Sequence, residues 1–135
     1  MNLRLKRLMN EYNEISEILS NHSNIIIKNT YGNPPEKYII EYRIKGLEQT
    51  NGEVHKRDVH LVEINLPSEY PIIQPTCRMT TPVFHPNIDL TKICIADYWA
   101  AGESLLDVII RIVKIISYQN YNIKSPLNGE AARWA

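Results

Sequence analysis

Cys94 is the residue of this chain best suited to covalent chemistry, and it lies seven positions after Asn87, the last residue of the tripeptide His85-Pro86-Asn87. A thiolate is a nucleophile that can carry an acyl group, and a nearby side-chain amide can donate a hydrogen bond to the oxyanion of acyl transfer. A lone cysteine is, however, commonly a small buried apolar residue. The spacing leaves both interpretations open.

The second cysteine, Cys77, forms no recognisable motif with Cys94. The two lie 17 positions apart, which is neither Cys-x-x-Cys spacing nor a disulfide framework. We therefore interpret Cys77 as structural, expect no metal site and infer no cofactor. Two free thiols favour a reducing cytoplasm.

The composition indicates one domain whose partners are proteins. A chain of 135 residues can bury a core without cross-links, so we expect a single domain over residues 1–135. Fifteen basic and fifteen acidic residues balance, which disfavours nucleic acid as a partner. No segment approaches the roughly 20 apolar residues that span a bilayer, and the N-terminus lacks the features of a secretory signal. We therefore expect no membrane association.

The elements that would position Cys94 begin with a helix and continue as strands. Apolar residues recur at helical spacing from Leu3 to Leu19, which predicts an amphipathic first helix. Residues 25–27 form a β-branched strand, and residues 38–44 alternate with period two. The turn dipeptide Asn51-Gly52 precedes a strand over residues 59–64, which predicts an antiparallel hairpin.

Prolines and a helix cap mark the second half of the chain. Five prolines from Pro67 to Pro86 predict an extended, rigid rim, with regular pairing only from Thr76 to Thr80. The sequence Ser104-Leu105-Leu106-Asp107 predicts a capped start for a helix that runs to about Tyr118. That helix is apolar on most of its circumference and is predicted to be central and buried. Residues 127–134 predict a short C-terminal helix.

This order of elements and motifs resembles the ubiquitin-conjugating enzyme (UBC) family. The similar segments are Tyr70-Pro71-Ile72-Ile73-Gln74-Pro75 at the rim, Phe84-His85-Pro86-Asn87-Ile88 at the His-Pro-Asn signature, Ile93-Cys94-Ile95 at the active site and Ser125-Pro126-Leu127 before the third helix. The resemblance covers nearly the whole chain and implies a UBC-like α+β fold with a four-stranded antiparallel meander. The chain ends within or just after the third helix, so the family's fourth helix is expected to be absent.

The resemblance also implies an acyl transfer in two steps. An activating enzyme would deliver a ubiquitin-like protein to Cys94 as a thioester, and a lysine of a protein substrate would then attack it. Asn87 matches the family residue assigned to the oxyanion, either directly or by holding the active-site loop. Ser125 matches the position that orients and deprotonates the incoming lysine, although a hydroxyl adds no negative charge.

Three further residues match family positions that support the active-site loop, namely His85, Pro86 and Asn122. His85 is also a candidate for the general base of a Cys-His pair, but its position resembles a residue whose ring packs and hydrogen-bonds the loop. We therefore interpret it as structural.

Other residues match the surface that meets partner proteins. Lys6 and Arg7 correspond to the helix face that contacts the activating enzyme, and Ile72 replaces the rim phenylalanine. Where eukaryotic relatives dock RING ligases with Trp-Ser-Pro-Ala, this chain has Trp99 displaced toward the cysteine and followed by Ala-Ala-Gly-Glu. A conventional RING ligase is therefore doubtful as a partner, and transfer without a ligase is the alternative.

The tail over residues 121–134 resembles bacterial members of the family. Those are encoded with an activating enzyme, a ubiquitin-like protein and a deconjugating metalloprotease, in some cases for antiviral defence. Two other function classes stay open. A non-catalytic binding module of the same fold would be expected to lack Cys94. A cysteine hydrolase would need a base near the thiol, and besides His85 the histidines are His22, His55 and His60, all in the N-terminal half.

Overall fold

A computed structural model describes residues 2–50, 53–81, 88–89, 92–93 and 102–117, in part by their backbone alone. The predicted C-terminal helix over residues 127–134 and any fourth helix lie outside these residues. The elements in chain order are α1 (Leu3–Leu19), β1 (Ile25–Gly32), β2 (Pro35–Tyr42), β3 (Gly46–Thr50), β4 (Glu53–Arg57), β5 (His60–Asn65), β6 (Thr76–Met79), β7 (Ile88–Asp89), β8 (Lys92–Ile93) and α2 (Leu105–Ile116).

Helix α1 has the bounds that its apolar spacing predicts. Asn2 caps it, because the Asn2 side chain accepts a hydrogen bond from the backbone N–H of Leu5 at 2.8 Å. The residues that it buries are Leu8, Glu11, Ile15 and Leu19. Glu11 is the one ionisable residue among these four, and the apolar spacing does not include it. A carboxylate at a buried position needs polar partners, and Glu11 has one within the helix, Arg7, and one outside it, Tyr70.

The main sheet is antiparallel throughout, with strand order β1-β2-β5-β6-β8-β7. Its first four strands form the predicted four-stranded meander, which is confirmed. Alternation sets the inner face, since Tyr38, Ile40 and Tyr42 of β2 and Val62 and Ile64 of β5 are fully buried. The two-residue strands β8 and β7 extend the meander beyond β6.

The strands on either side of Asn51-Gly52 form a hairpin of their own, which lies in sequence between the two strands, residues 38–44 and 59–64, that the sequence predicted to pair. Strands β3 and β4 pair with each other as a separate two-stranded sheet, in which Thr50 lies opposite Glu53. Strand β5 pairs with β2, as predicted, with His60 opposite Tyr42. The chain thus leaves the main sheet after Tyr42 and returns to it at His60. The predicted antiparallel pairing is confirmed, whereas the additional pair β3–β4 was not predicted.

Gly46 and His60 pack together where this hairpin begins. A Cβ at Gly46 would lie 2.7 Å from His60 Nε2 and 2.8 Å from Ile116 Cγ2, so a larger residue would force one of them to move. The His60 ring is fully buried, and its Nε2–H donates to the carbonyl of Arg57 at 3.0 Å. Burial lowers the pKa of His60 from 6.5, despite that hydrogen bond.

Acid is expected to destabilise the fold through His60. A histidine with a lowered pKa contributes stability above its unfolded pKa, and loses it as pH falls below about 6.5 toward the folded value. The slope for one proton is at most about 1.4 kcal/mol per pH unit. Urea unfolding at pH 7.5 and at pH 5.5 measures how much the free energy of unfolding falls. His60→Gln should flatten this dependence relative to the wild-type chain, whereas His22→Gln, at an exposed position, should not; equal slopes would contradict the assignment.

Helix α2 lies against the sheet and supplies much of the core. Ser104 and Asp107 form the predicted capping box, in which each side chain accepts from the other residue's backbone N–H at 3.1 Å. The residues that α2 buries are Leu105, Val108, Ile109, Ile112, Ile115 and Ile116. The hydroxyl of Tyr42 donates to the carbonyl of Ile109 at 3.0 Å and so joins sheet and helix. The prediction of a central buried helix is confirmed.

Candidate active site

The predicted catalytic and supporting residues lie outside the described part of the chain. They are His85, Pro86, Asn87, Cys94, Asn122 and Ser125. Their assigned roles therefore stay predictions. The described elements next to Asn87 and Cys94 in sequence are the short strands β7 and β8.

Strands β7 and β8 pair the residues that adjoin Asn87 and Cys94. Strand β7 begins at Ile88 and β8 ends at Ile93, and these two residues lie opposite each other, followed by Asp89 opposite Lys92. Since consecutive Cα atoms are about 3.8 Å apart, Asn87 and Cys94 are each one peptide from a paired position. The described pairing therefore ends one residue short of Asn87 and of Cys94.

Strand β6 fixes this hairpin to the main sheet. Cys77 pairs with Ile93 and Arg78 with Lys92, while β6 itself pairs with β5. Cys77 is a free, buried thiol, and burial raises its pKa to about 12. A thiol so rarely ionised is a poor nucleophile. Cys77 is structural, as the sequence predicted.

A polar cluster built on the Glu11 carboxylate joins α1 to the rim. The Tyr70 hydroxyl lies 2.7 and 2.8 Å from the two carboxylate oxygens of Glu11, and Arg7 Nε donates to Glu11 Oε1 at 2.9 Å. The Arg7 guanidinium lies 5.2 Å from the centre of the Tyr70 ring. These contacts provide the polar partners that burial of Glu11 requires. Burial and the Glu11 hydrogen bond raise the pKa of Tyr70.

The same cluster reaches the segment before α2. An Arg7 Nη2–H donates to the carbonyl of Glu103, whose carboxylate pairs with Arg111 of α2 at 2.9 Å. Arg7 thus contacts α1, the rim and the segment that follows the candidate cysteine. Sequence analysis missed Glu11 and Glu103. The Arg7–Glu11 pair has helical i, i+4 spacing, which is a usable signal, but Glu103 offers none.

Tyr70→Phe tests the cluster by removing one hydroxyl. Hydrogen bonds to charged groups contribute about 1.5–3 kcal/mol, so we expect the free energy of unfolding to fall by roughly that amount. Urea denaturation at pH 7 measures it. Tyr12→Phe, at a half-exposed position of α1, is the matched control and should change stability by less than about 0.5 kcal/mol. Equal effects would show that the Tyr70 hydroxyl adds nothing.

The predicted partner-binding residues differ in exposure. Lys6 is exposed, and Ile72 is 80% exposed on the rim. Beside Ile72 lies a groove of about 650 Å³ between the start of α1 and the rim, which includes Leu3 and Arg4. Arg7 is half-buried, and its side chain contacts Glu11 and the carbonyl of Glu103. Partner binding by Lys6, Arg7 and Ile72 stays a prediction.

The described residues contain neither a cluster suited to a metal ion nor a helix suited to a membrane. In that part of the chain, no group of three or more His, Cys, Asp or Glu side chains could hold a metal ion. No helix there is both long and apolar enough to cross a membrane.

Comparison with known protein families gives a match over most of the chain. A model of the family described as ubiquitin-conjugating enzyme matches residues 7–135. A ubiquitin conjugating enzyme E2 B of Dictyostelium discoideum is 31% identical over 86 residues, or 61% of this chain and 57% of that protein. A probable ubiquitin-conjugating enzyme of Acanthamoeba polyphaga mimivirus is 28% identical over 95% of this chain and 80% of its own length.

A third relative matches over a shorter region. The ubiquitin-conjugating enzyme E2-20 kDa of Schizosaccharomyces pombe is 31% identical over 53% of this chain and 42% of its own length. The chain therefore spans only about half the length of this relative and of the Dictyostelium protein.

Solved structures show the same fold. One is described as a novel ubiquitin-conjugating enzyme, with a TM-score of 0.69, 23% identity and coverage of 94% of this chain and 81% of that chain. Another is the H. polymorpha ubiquitin conjugating enzyme Pex4p in complex with the soluble domain of Pex22p, with a TM-score of 0.71, 20% identity and coverage of 95% and 85%. At these identities the similarity supports the fold alone, and the predicted UBC-like α+β fold is confirmed.

Proposed function

The chain belongs to the ubiquitin-conjugating enzyme family, and on this premise we propose that Cys94 accepts a ubiquitin-like protein from an activating enzyme and passes it to a target lysine. The observation that carries the proposal is the pairing of Ile88 with Ile93. Asn87 and Cys94 adjoin this pair in sequence, which supports a site where an amide and a thiol act on the same carbonyl.

The reaction consists of two acyl transfers. The Cys94 thiolate forms a bond to the thioester carbonyl carbon, and the thiolate of the activating enzyme leaves. The two thioesters are nearly equal in energy, so the first step needs an accessible thiol rather than a strong base. A lysine amine then forms an amide with the same carbonyl carbon, loses a proton and releases the Cys94 thiolate.

Asn87 and Ser125 have separate roles in the second transfer. The Asn87 amide donates a hydrogen bond to the oxyanion, which lowers the barrier most if the donor is already in place. Ser125 orients the incoming amine, while desolvation and bound partners favour its neutral form. His85, Pro86 and Asn122 support the loop that holds these groups.

The activating enzyme would approach the start of α1, where Lys6 is exposed, and the rim around Ile72. A reducing cytoplasm suits a reaction that depends on a free thiol. Because the segment around Trp99 departs from the pattern that docks RING ligases, we propose that Cys94 transfers the ubiquitin-like protein to the target without a ligase.

We also propose a bacterial context, in which an activating enzyme, a ubiquitin-like protein and a metalloprotease are encoded together, in some cases for antiviral defence. Genes adjacent to this one test that context.

The contacts of two histidines give little support to a hydrolase. His60 is fully buried and bonded to the carbonyl of Arg57, so its ring is not available to a substrate. His22 Nδ1 accepts from the backbone N–H of Asn24 at 3.3 Å at the end of α1. We therefore keep the conjugating reaction as the proposal.

A charging assay tests it. The chain is incubated with the activating enzyme, ATP and the ubiquitin-like protein encoded beside it, or with ubiquitin, and resolved on a non-reducing gel. We expect an adduct that thiols remove, which Cys77→Ala retains and Cys94→Ala loses. Absence of the adduct while the activating enzyme is charged would overturn the function. An adduct on Cys94→Ala would overturn the site.

A further inference from the structure

The segment that contains Cys94 is joined at both ends to residues that the fold holds in place. Before it, Ile93 ends β8 and pairs with Cys77 of β6. After it, Glu103 directly precedes Ser104, the residue that caps α2. Glu103 lies nine positions after Cys94 in the chain. The contacts of Glu103 therefore fix the point at which this segment ends.

Glu103 is bound by both helices. Arg7 of α1 donates an Nη2–H to the backbone carbonyl of Glu103, and Arg111 of α2 binds the Glu103 carboxylate at 2.9 Å. The side chains of Glu103 and Arg111 are only 21% and 17% exposed, which limits the screening of this ion pair by salt. The backbone and the side chain of one residue are thus attached to different helices.

Arg7 can hold Glu103 because its own guanidinium is fixed. Its Nε donates to Glu11 Oε1 at 2.9 Å while its Nη2 binds Glu103, so two nitrogens of one planar group act at once. The Tyr70 hydroxyl bonds to both carboxylate oxygens of Glu11, and the Tyr70 ring lies 5.2 Å from the guanidinium. A lysine at this position has one nitrogen and cannot reproduce both contacts.

We propose that Arg7 is a positioning residue for transfer of the acyl group from Cys94, and that it acts through the Glu103 carbonyl. The inference rests on the function proposed above. Residues 94–102 run from the end of β8 to Glu103, so release of Glu103 gives this segment more conformations. The Cys94 thioester then spends less time in the geometry that a lysine amine can attack.

This role differs from the contact with the activating enzyme that the resemblance implies for Arg7. The Arg7 side chain is 27% exposed and is already bound within the fold, whereas Lys6 lies at an exposed position of the same helix. Loss of a docking contact raises the KM of charging. Loss of a positioning contact lowers the rate of transfer, so the two rates distinguish the two roles.

Arg7→Lys tests the proposal, because it keeps the positive charge and removes one of the two contacts. Charging is measured against the concentration of the chain, and transfer is measured as single-turnover discharge of the Cys94 thioester onto free lysine. We expect a KM of charging within twofold of wild type and a discharge rate about tenfold lower. Discharge within twofold of wild type overturns the proposal, and a raised KM alone assigns Arg7 to docking.

Control variants separate the clamp from a general effect of substitution. Lys114→Arg, at an exposed position of α2, should change neither rate. Glu103→Ala releases the same segment from Arg111 and should also slow discharge, whereas Glu17→Ala, at an exposed position of α1, should not. Because Arg7 and Glu103 act on one segment, the double variant should lose less than the product of the single losses. If Arg7→Lys fails to fold, Glu103→Ala with its control replaces it.

A second readout needs no thioester. Order parameters from ¹⁵N relaxation of the full, uncharged chain should fall for residues 102–104 in Arg7→Lys and stay unchanged in β2. Unchanged order parameters at residues 102–104 overturn the proposal even if discharge is slower. A wild-type chain that the activating enzyme does not charge overturns the proposed function, and with it the positioning role, while the order parameters still report whether Arg7 holds Glu103.

Discussion

Asn87→Ala is expected to accept the ubiquitin-like protein on Cys94 at a normal rate and to release it to lysine about 10²–10³ times more slowly. That range is the usual cost of removing one oxyanion donor. The first transfer exchanges one thioester for another, whereas the second uses an amine as nucleophile and depends more on stabilising the oxyanion. A donor required mainly for the second step should therefore affect the two rates unequally.

The measurement is a single-turnover discharge. The charged chain is formed, the activating enzyme is stopped by removing ATP, free lysine is added and loss of the thioester is followed over time. Asn21→Ala, at an exposed position after α1, is the matched control and should discharge at the wild-type rate. A discharge rate of Asn87→Ala within twofold of wild type would remove Asn87 from the mechanism. An equal fall in charging and discharge would indicate that Asn87 holds the loop instead.

Ile109→Ala is expected to lower the free energy of unfolding by about 2–5 kcal/mol, the usual cost of truncating a fully buried isoleucine. Ile109 is fully buried in α2, against the inner face of the sheet. Its carbonyl also accepts the Tyr42 hydroxyl at 3.0 Å, and this backbone contact is present in the variant. The loss therefore reports side-chain packing between helix and sheet.

Ile110→Ala provides a control that differs by one position on the same helix. Ile110 is 43% exposed, so the same substitution removes few contacts, and alanine's higher helix propensity offsets part of the loss. We expect a change below about 1 kcal/mol. Urea denaturation of the uncharged chain, with equal m-values, measures both variants. A similar loss in both would show that α2 is not packed as described.

The sequence by itself determined the features that depend on neighbouring residues. Apolar spacing set the bounds of α1, and the capping box at Ser104 set the start of α2, because both signals act within a few residues. Alternation assigned β2 and β5 to a half-buried sheet. The motifs around Asn87 and Cys94 identified the candidate site for the same reason, since each is contiguous in the chain.

The tertiary structure alone decided which distant residues become partners. Glu11 is buried because Tyr70, 59 residues away, donates to it, and Arg7 binds the carbonyl of Glu103, 96 residues away. Likewise, β3 and β4 form a separate sheet along the chain between β2 and β5, where the sequence predicted a single hairpin. Such contacts depend on how the sheet and helices pack, and no spacing along the chain encodes them. The register that sets Ile88 opposite Ile93 belongs with them, because strand pairing is decided by the folded sheet and not by a motif within the chain.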